Sequence, residues 1–402
     1  MVRTVLDKYL RAFLGLPRDV WVLAIVLFVN RIGMMVLPFL TLYLIEQRGF
    51  TREAAGGVMI TYGIGSVVGV LGGGWLSDHF GARRIQLCSL VLTSVAILAL
   101  WLARGPFWIS TAVVAMSLSA EVFRPANSIS IIHAAPKHLH ARSFSLISAV
   151  VCVGLSIALP LGGALAKRDY DWLFWIDSCT GVLAAVLLWR HGPRANPHGT
   201  AGATQVEVAH VSAWRDRRFL AFIALTAAAG TILFQFFSSL PVFLKREVGF
   251  GEDGVGFLLG FNTVVIALLQ VQIAHAVERR PPLRWIAFGA LLMGLGYGMN
   301  GLSHAPWIAI ASVFVWTLGE MLYFPLTAAF ASKRAPPSAL GRYMSAYYVS
   351  LSVPFLVAPL GLTLSGRWGF GALWASCAIA GVLIWLGFML LARGSDVPPA
   401  VA

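Results

Sequence analysis

Glu121-Val-Phe-Arg-Pro125 lies in a long apolar run and is followed by Pro136 and Arg142. Glu320-Met-Leu-Tyr-Phe-Pro325 lies in another and is followed by Pro336 and Arg342. Both prolines and the arginine recur at an offset of 200, and the glutamate at 199. Gly49-Phe50 returns as Gly249-Phe250, and Asp78 has its counterpart in Glu278. A half-length repeat in an apolar chain implies two similar membrane bundles with a substrate's place between them. An ionisable residue kept inside each bundle points to what moves there.

Of the 402 residues, 58% are hydrophobic and only 12% charged, which excludes a soluble domain because a water-facing surface needs far more charge. Forty glycines suit helices whose backbones approach closely in lipid. A net charge of +13 would suggest nucleic acid in a soluble protein. Here the basic residues sit in short loops between apolar runs, so topology and anionic lipid account for them and no nucleic-acid partner is expected. Cys88, Cys152, Cys179 and Cys377 are scattered without CxxC spacing and read as small core residues, with no metal site. Between Met1 and Arg18, Leu6, Leu10, Phe13 and Leu14 share one helical face, with Lys8 and Arg11 elsewhere. That is the pattern of a short interfacial helix and not of a cleavable signal.

Stretches of about 18–25 apolar residues number twelve, starting near Val20, Ala55, Ile85, Pro106, Ser143 and Trp172, then near Phe219, Val255, Trp285, Trp307, Tyr343 and Gly371. The polar segment from Gly192 to Arg218 divides them six and six. The expected organisation is an all-α membrane protein. It has an N-terminal six-helix bundle with its interfacial helix over 1–191, a linker over 192–218 and a C-terminal six-helix bundle over 219–402. Alternate loops carry twenty Lys and Arg on the side of the termini and linker against eight on the other, with Arg31 and Arg124 inside spans. Both termini and the linker are therefore expected in the cytoplasm.

Between the second and third spans runs Gly74-Trp-Leu-Ser-Asp78-His-Phe-Gly81-Ala-Arg83-Arg84. Gly81 permits a tight reversal between helices, Asp78 suits a helix start, and the arginines favour the cytoplasmic side. This loop resembles the signature loop of the major facilitator superfamily. Asp78 to Arg84, Phe123-Arg-Pro125, Arg142-Ser-Phe-Ser-Leu146 and Asp216-Arg-Arg-Phe219 are similar to the twelve-span drug:proton antiporter branch, of the MdtH-like multidrug exporter kind. The fifth span of that branch carries a motif ending Gly-Pro-x-x-Gly-Gly. Here it reads Gly154-Leu-Ser-Ile-Ala-Leu-Pro160-Leu-Gly162-Gly163, with Leu159 in place of the first of those glycines. The resemblance implies twelve transmembrane helices as two bundles, alternating access driven by a proton gradient with no cofactor, and a cytoplasmic latch made of Gly74, Asp78, Gly81, Arg83 and Arg84. It also implies that spans one, four, seven and ten line the central cavity.

Arg31, Glu121, Arg124, Asp177 and Glu320 lie within spans. Each costs roughly 2.5–3.5 kcal/mol at a helix centre and so needs a cavity or a partner. Glu320 is the leading proton carrier, because its own helix supplies no nearby cation and an apolar site disfavours a bare carboxylate. Glu121 is the second; Arg124, three residues on, shares its helical face and either pairs with it as pure structure or releases it as a switch. Arg31, after Asn30, either meets an anionic substrate group or neutralises Glu121. Asp177 reads as structural, and His133 and His304 as interface residues. Tyr43, Phe234, Phe236, Phe237, Tyr323 and Phe324 fall on cavity spans and suit either a hydrophobic pocket or ordinary packing, with Gln235 and Asn262 adding hydrogen bonds. Pro125, Pro160, Pro325, Pro354 and Pro359 are expected to interrupt helices near the face between the bundles.

The expected function is proton-coupled export of small amphipathic or lipophilic compounds by a monomer in the inner membrane. The rivals are proton-coupled uptake of a peptide or organic anion, and a receptor or scaffold that has lost transport. Gly319-Glu320 fits the uptake reading, but Phe28 and Val29 stand where peptide symporters carry a Glu-x-x-Glu-Arg motif. No phosphate loop, metal cluster or nucleophile elbow marks an enzyme.

Overall fold

The computed structural model describes residues 15–193, 215–277, 280–336 and 339–393, all helical or loop with no strand among them. The expected interfacial helix, most of the 192–218 linker and Glu278 fall outside the described residues. The first half contains α1 (Arg18–Gly33), α2 (Val36–Glu46), α3 (Arg52–Phe80), α4 (Ala82–Leu102), α5 (Gly105–Ala134), α6 (His140–Ala166) and α7 (Asp171–His191). The second contains α8 (Arg217–Leu233), a 3-10 turn (Phe234–Phe237), α9 (Ser239–Arg246), α10 (Glu252–Val277), α11 (Pro282–Met299), α12 (Pro306–Arg334), α13 (Leu340–Ser352), α14 (Pro354–Val357) and α15 (Leu360–Arg393). Among the described residues, ten helical segments are long and apolar enough to cross a membrane. Helix α11 is not one of them: its 18 residues include Pro282, Arg284 and four glycines. Within α15, Gly369 at φ 80° joins two helices across a kink. The apolar runs locate the helix starts to within a turn.

Sequence chemistry sets those starts. The Thr51 hydroxyl accepts the Ala54 N–H at the head of α3, and Pro106 and Pro306 occupy the first turns of α5 and α12, where no N–H is missed. Asp216 caps α8 by accepting the Phe219 N–H at 3.1 Å, while Arg334 grips the same carboxylate through Nε and Nη2, both at 2.8 Å. The Tyr343 hydroxyl donates to it as well, so the Asp216-Arg-Arg-Phe219 motif ties the start of α8 to the end of α12 and to α13.

The halves touch where side chains are absent. A Cβ on Gly63 of α3 would lie 2.6 Å from the Phe355 carbonyl of α14, and one on Gly163 of α6 would lie 2.9 Å from the Gly256 Cα of α10. Such contacts draw two backbones into van der Waals range, the source of cohesion in lipid. The ion pairs described between the halves gather at the end of the molecule bearing Gly49 and Gly249. There Arg246 Nε lies 2.9 Å from Glu46 Oε1, Arg52 Nη2 lies 3.2 Å from Glu247 Oε1, and Lys167 Nζ lies 2.8 Å from Asp253 Oδ2. The Tyr170 hydroxyl of the first half donates to Glu252. Glu46 and Arg246 occupy equivalent positions of the 200-residue repeat, as do Arg52 and Glu252, with the charge reversed each time.

Pro125, Pro160 and Pro325 do not interrupt their helices, contrary to expectation; α5, α6 and α12 run through them. Facing glycines make room for two of the rings: Gly73 sits against Pro125, and Gly260 against Pro160. Only Pro354 and Pro359 mark breaks, and the other breaks fall at Met34–Met35 and at Phe234–Ser238.

Two outcomes follow. Gly256→Leu forces a side chain onto the Leu159 carbonyl, so a bifunctional thiol reagent should link Glu46→Cys to Arg246→Cys efficiently in the parent and poorly in that variant. Burial alone would push the Asp216 carboxyl up, but the Arg334 fork and the Phe219 N–H hold it below the usual carboxylate range. A carboxyl lowered in the folded state stabilises above its unfolded pKa and loses that contribution as pH falls through the folded one. Asp216→Asn should therefore lower the melting temperature near neutrality, with the gap to wild type closing in acid.

Candidate functional site

The first crossing breaks after Gly33, where α7 lies so close that a Cβ would overlap the Thr180 hydroxyl. The break frees the N–H groups of Met35 and Val36, and Asp177 Oδ2 accepts both, at 3.2 and 3.1 Å. Asp177 is thus a cap on α2 supplied from a neighbouring helix. Arg31 sits one turn before the break. Its Nη1 lies 2.7 Å from Met34 Sδ, and its Nε is buried without a hydrogen-bond partner. On α5, Arg124 Nε lies 3.3 Å from Glu121 Oε2; the Glu121 side chain is 6% exposed and the Arg124 side chain 45%. Arg31, Arg124, Glu121, Tyr62 and Asp177 are close enough to interact electrostatically. Two guanidinium groups therefore face one buried glutamate in the first half.

The second half is built differently. Gly319 packs on Gly289 of α11, where an added Cβ would come within 2.5 Å of a carbonyl oxygen. The next residue, Glu320, is turned a helical step away and is partly buried beside α10 and α6. Asn262 Nδ2 donates to Glu320 Oε2 at 2.9 Å and to Thr317 Oγ1 at 3.0 Å. Cys152 of α6 and Tyr297 of α11 lie within electrostatic range. No Lys, Arg or His among the described residues pairs with Glu320. Across the two halves, Tyr62 of the first meets Phe355 of the second at 5.0 Å between ring centroids, and Phe234 meets Phe355 at 4.4 Å.

Other candidates fall elsewhere. Tyr43 is buried inside the first half against Phe174, its hydroxyl bonded to Arg48. Tyr323 is fully buried and donates to the Thr226 carbonyl, inside the second half. Gln235 spends its amide on the Ala358 carbonyl at the α14–α15 break, 3.0 Å away. Phe236 packs on Trp316. Asn30 is partly buried next to Arg31, and Asn262 belongs to the Glu320 cluster. In the expected latch, Gly81 adopts φ 85°, ending α3 and opening α4, and Gly74 has open space about it. Arg83 Nη2 donates to the Trp189 carbonyl at 2.7 Å, while Asp78 and Arg84 are exposed with no ion pair among the described residues. Sequence reasoning missed Tyr62, Phe355 and Thr317. Thr317 carried a signal, being three residues before Glu320 and so on its face.

Asp177→Ala removes the acceptor shared by two N–H groups, leaving Met35 only the Gly33 carbonyl, and should cost about 1–2 kcal/mol of stability, as losing a cap does. Asp177→Asn, which keeps an acceptor oxygen, should retain most of the thermal stability and of the transport rate, measured by melting in detergent and by flux in vesicles.

Residues 23–359 match the family model described as Major Facilitator Superfamily. The chain is 27% identical to a "Na(+), Li(+), K(+)/H(+) antiporter" of Planococcus maritimus, over 90% of this chain and 92% of that one. It is 23% identical to "Multidrug resistance protein MdtH" of Edwardsiella ictaluri, over 84% and 80%. Among solved structures, a POT family transporter in complex with 5-aminolevulinic acid superposes with a TM-score of 0.81 at 17% identity, over 95% of this chain and 97% of that one. The paired half-repeats, the membrane-length helices and a family match running through both halves agree: this chain belongs to the Major Facilitator Superfamily and is a multi-pass membrane transporter, not an enzyme.

Proposed function

We propose that the chain is a proton-coupled secondary transporter that exports small amphipathic or lipophilic compounds by alternating access, with Glu320 as the proton carrier. The observation that carries this is a membrane-embedded carboxylate whose one hydrogen-bond partner among the described residues is the Asn262 amide. A carboxylate without a cation in a low dielectric takes up a proton readily, and losing that proton changes the charge of the cavity by one. In this reading the chain crosses the inner membrane twelve times as two six-helix bundles, over 1–191 and 219–402, and acts as a monomer. The segment Pro282–Met299 supplies one crossing beyond the ten and the pieces from Leu340 to Trp368 the other, with Gly369 dividing eleventh from twelfth. The excess of Lys and Arg on the linker side puts both termini in the cytoplasm, so the end sealed by Glu46 and Arg246 is periplasmic and the cavity faces inward.

Arg124 holds Glu121 and, with Arg31 in electrostatic range, presents an anion-favouring wall, while Tyr62, Phe234 and Phe355 offer ring faces to an apolar substrate. Substrate entering from the cytoplasm competes with the Glu320 proton; opening of the ion pairs and closure of the Asp78–Arg84 end carry it outward. The names of the antiporter and multidrug relatives support export over uptake. In proteoliposomes with an imposed pH gradient, lipophilic cations and dyes should drive proton movement opposite to their own. That movement should fall to the protein-free baseline in Glu320→Gln and survive in a variant carrying Asp78→Asn at reduced rate. Proton and substrate moving in the same direction would contradict export.

A further inference from the structure

We infer that Glu320, Asn262 and Thr317 form a binding site for a monovalent alkali cation, which the protein exchanges for the Glu320 proton. This rests on the reading of Glu320 as proton carrier. Thr317 and Glu320 share one face of α12, three residues apart, and Asn262 reaches them from α10. The Asn262 amide nitrogen occupies the point common to both, 3.0 Å from the Thr317 hydroxyl and 2.9 Å from the carboxylate. That point, touched by two oxygens of one helix, is where a small cation is held. Swinging the amide off that point and turning it over presents its oxygen in place of its nitrogen, and the cluster then offers the vacated point a carboxylate, an amide oxygen and a hydroxyl oxygen, the hard donor set of cations that prefer oxygen. The Thr317 hydrogen is already committed to the Val313 carbonyl, which leaves the hydroxyl's lone pairs to face the site.

Charge makes the site monovalent. One carboxylate balances one positive charge, and the titratable neighbours on the packed helices, Cys152 on α6 and Tyr297 on α11, are not cations. Val265 and Ile266, a turn on from Asn262 along α10, and Met321, next to Glu320, are buried together, and a low dielectric strengthens a cation–carboxylate contact. Glu121 cannot serve in the same way, because Arg124 already occupies its carboxylate. The exchange balances simply: the cation takes the carboxylate oxygens, the proton leaves to the cavity water, and the site's charge is unchanged.

The test uses the full chain in proteoliposomes with an internal pH dye, an acid interior and a clamped membrane potential. NaCl, LiCl, KCl or choline chloride is added outside, and lipophilic cations are run in parallel. One or more alkali chlorides should release internal protons and choline should not. Thr317→Val should raise the half-maximal cation concentration about tenfold, the loss of roughly 1.4 kcal/mol from one neutral ligand; Thr317→Ser should restore it, which separates ligation from folding. Alkali salts acting no better than choline, while lipophilic cations still drive Glu320-dependent proton movement, would overturn the inference and leave the export reading standing. Alkali-driven proton movement untouched by Thr317→Val and Glu320→Gln would also overturn it, by placing the exchange elsewhere. Proton movement driven by neither kind of solute would remove the export reading and this inference together.

Discussion

The contact on which everything else depends is backbone against backbone between the halves, at glycines. Gly56 and Gly63 of α3 lie on the α14–α15 region, and Gly163 of α6 lies on Gly256 of α10. In lipid no hydrophobic drive pulls helices together, so close van der Waals approach holds them, and a seam without side chains can tilt without repacking any. Ion pairs then decide which end is shut. Pairs as exposed as these are weak singly, which suits a seal that must open in every cycle.

A second constraint is that breaks in membrane helices leave backbone groups without partners. Each break is met by a side chain from a neighbouring helix: Asp177 takes N–H groups between α1 and α2, Tyr297 donates to the Leu233 carbonyl at the end of α8, and Gln235 donates to the Ala358 carbonyl between α14 and α15. Polar residues in spans therefore divide into those that mend the backbone and those left over. The left-over ones, Arg31, Glu121, Arg124 and Glu320, are charges within helices that mend no break. The repeat gives both halves one scaffold, but two arginines stand near Glu121 in the first, while among the described residues none pairs with Glu320 in the second.

Much of this was legible in the chain. Apolar length located the helix starts, the offset of 200 exposed the repeat, and the Gly74–Arg84 loop marked the family. Glu320 stood out because nothing on its own helix balances it. Other features were hidden because they depend on which helix lies opposite. Gln235 looks like a site residue in sequence until the break it mends is seen, and Asp177 reads as structural there without the break it caps being visible. Tyr43 and Tyr323 sit on cavity spans but face inward to their own halves, which hydrophobicity cannot reveal when all faces of a helix are apolar. Two of the prolines misled for a related reason: facing glycines absorb the rings of Pro125 and Pro160. The reversed charges at 46 and 246 stand in the repeat, but which of the reversed positions meet is visible only in the fold: Glu46 pairs with Arg246, whereas Arg52 pairs with Glu247 and not with Glu252.

The most direct measurement of the central claim, a seam that tilts while its ends alternate, is a pair of spin-label distances in proteoliposomes. With the native cysteines replaced, one pair at Arg104 and Leu302 would report the ion-paired end and another at His79 and Ser332 the opposite end. Moving from acid to alkaline pH with substrate present should lengthen one distance as it shortens the other. Distances that both stay fixed, or change in the same sense, would contradict rocking about the glycine seam.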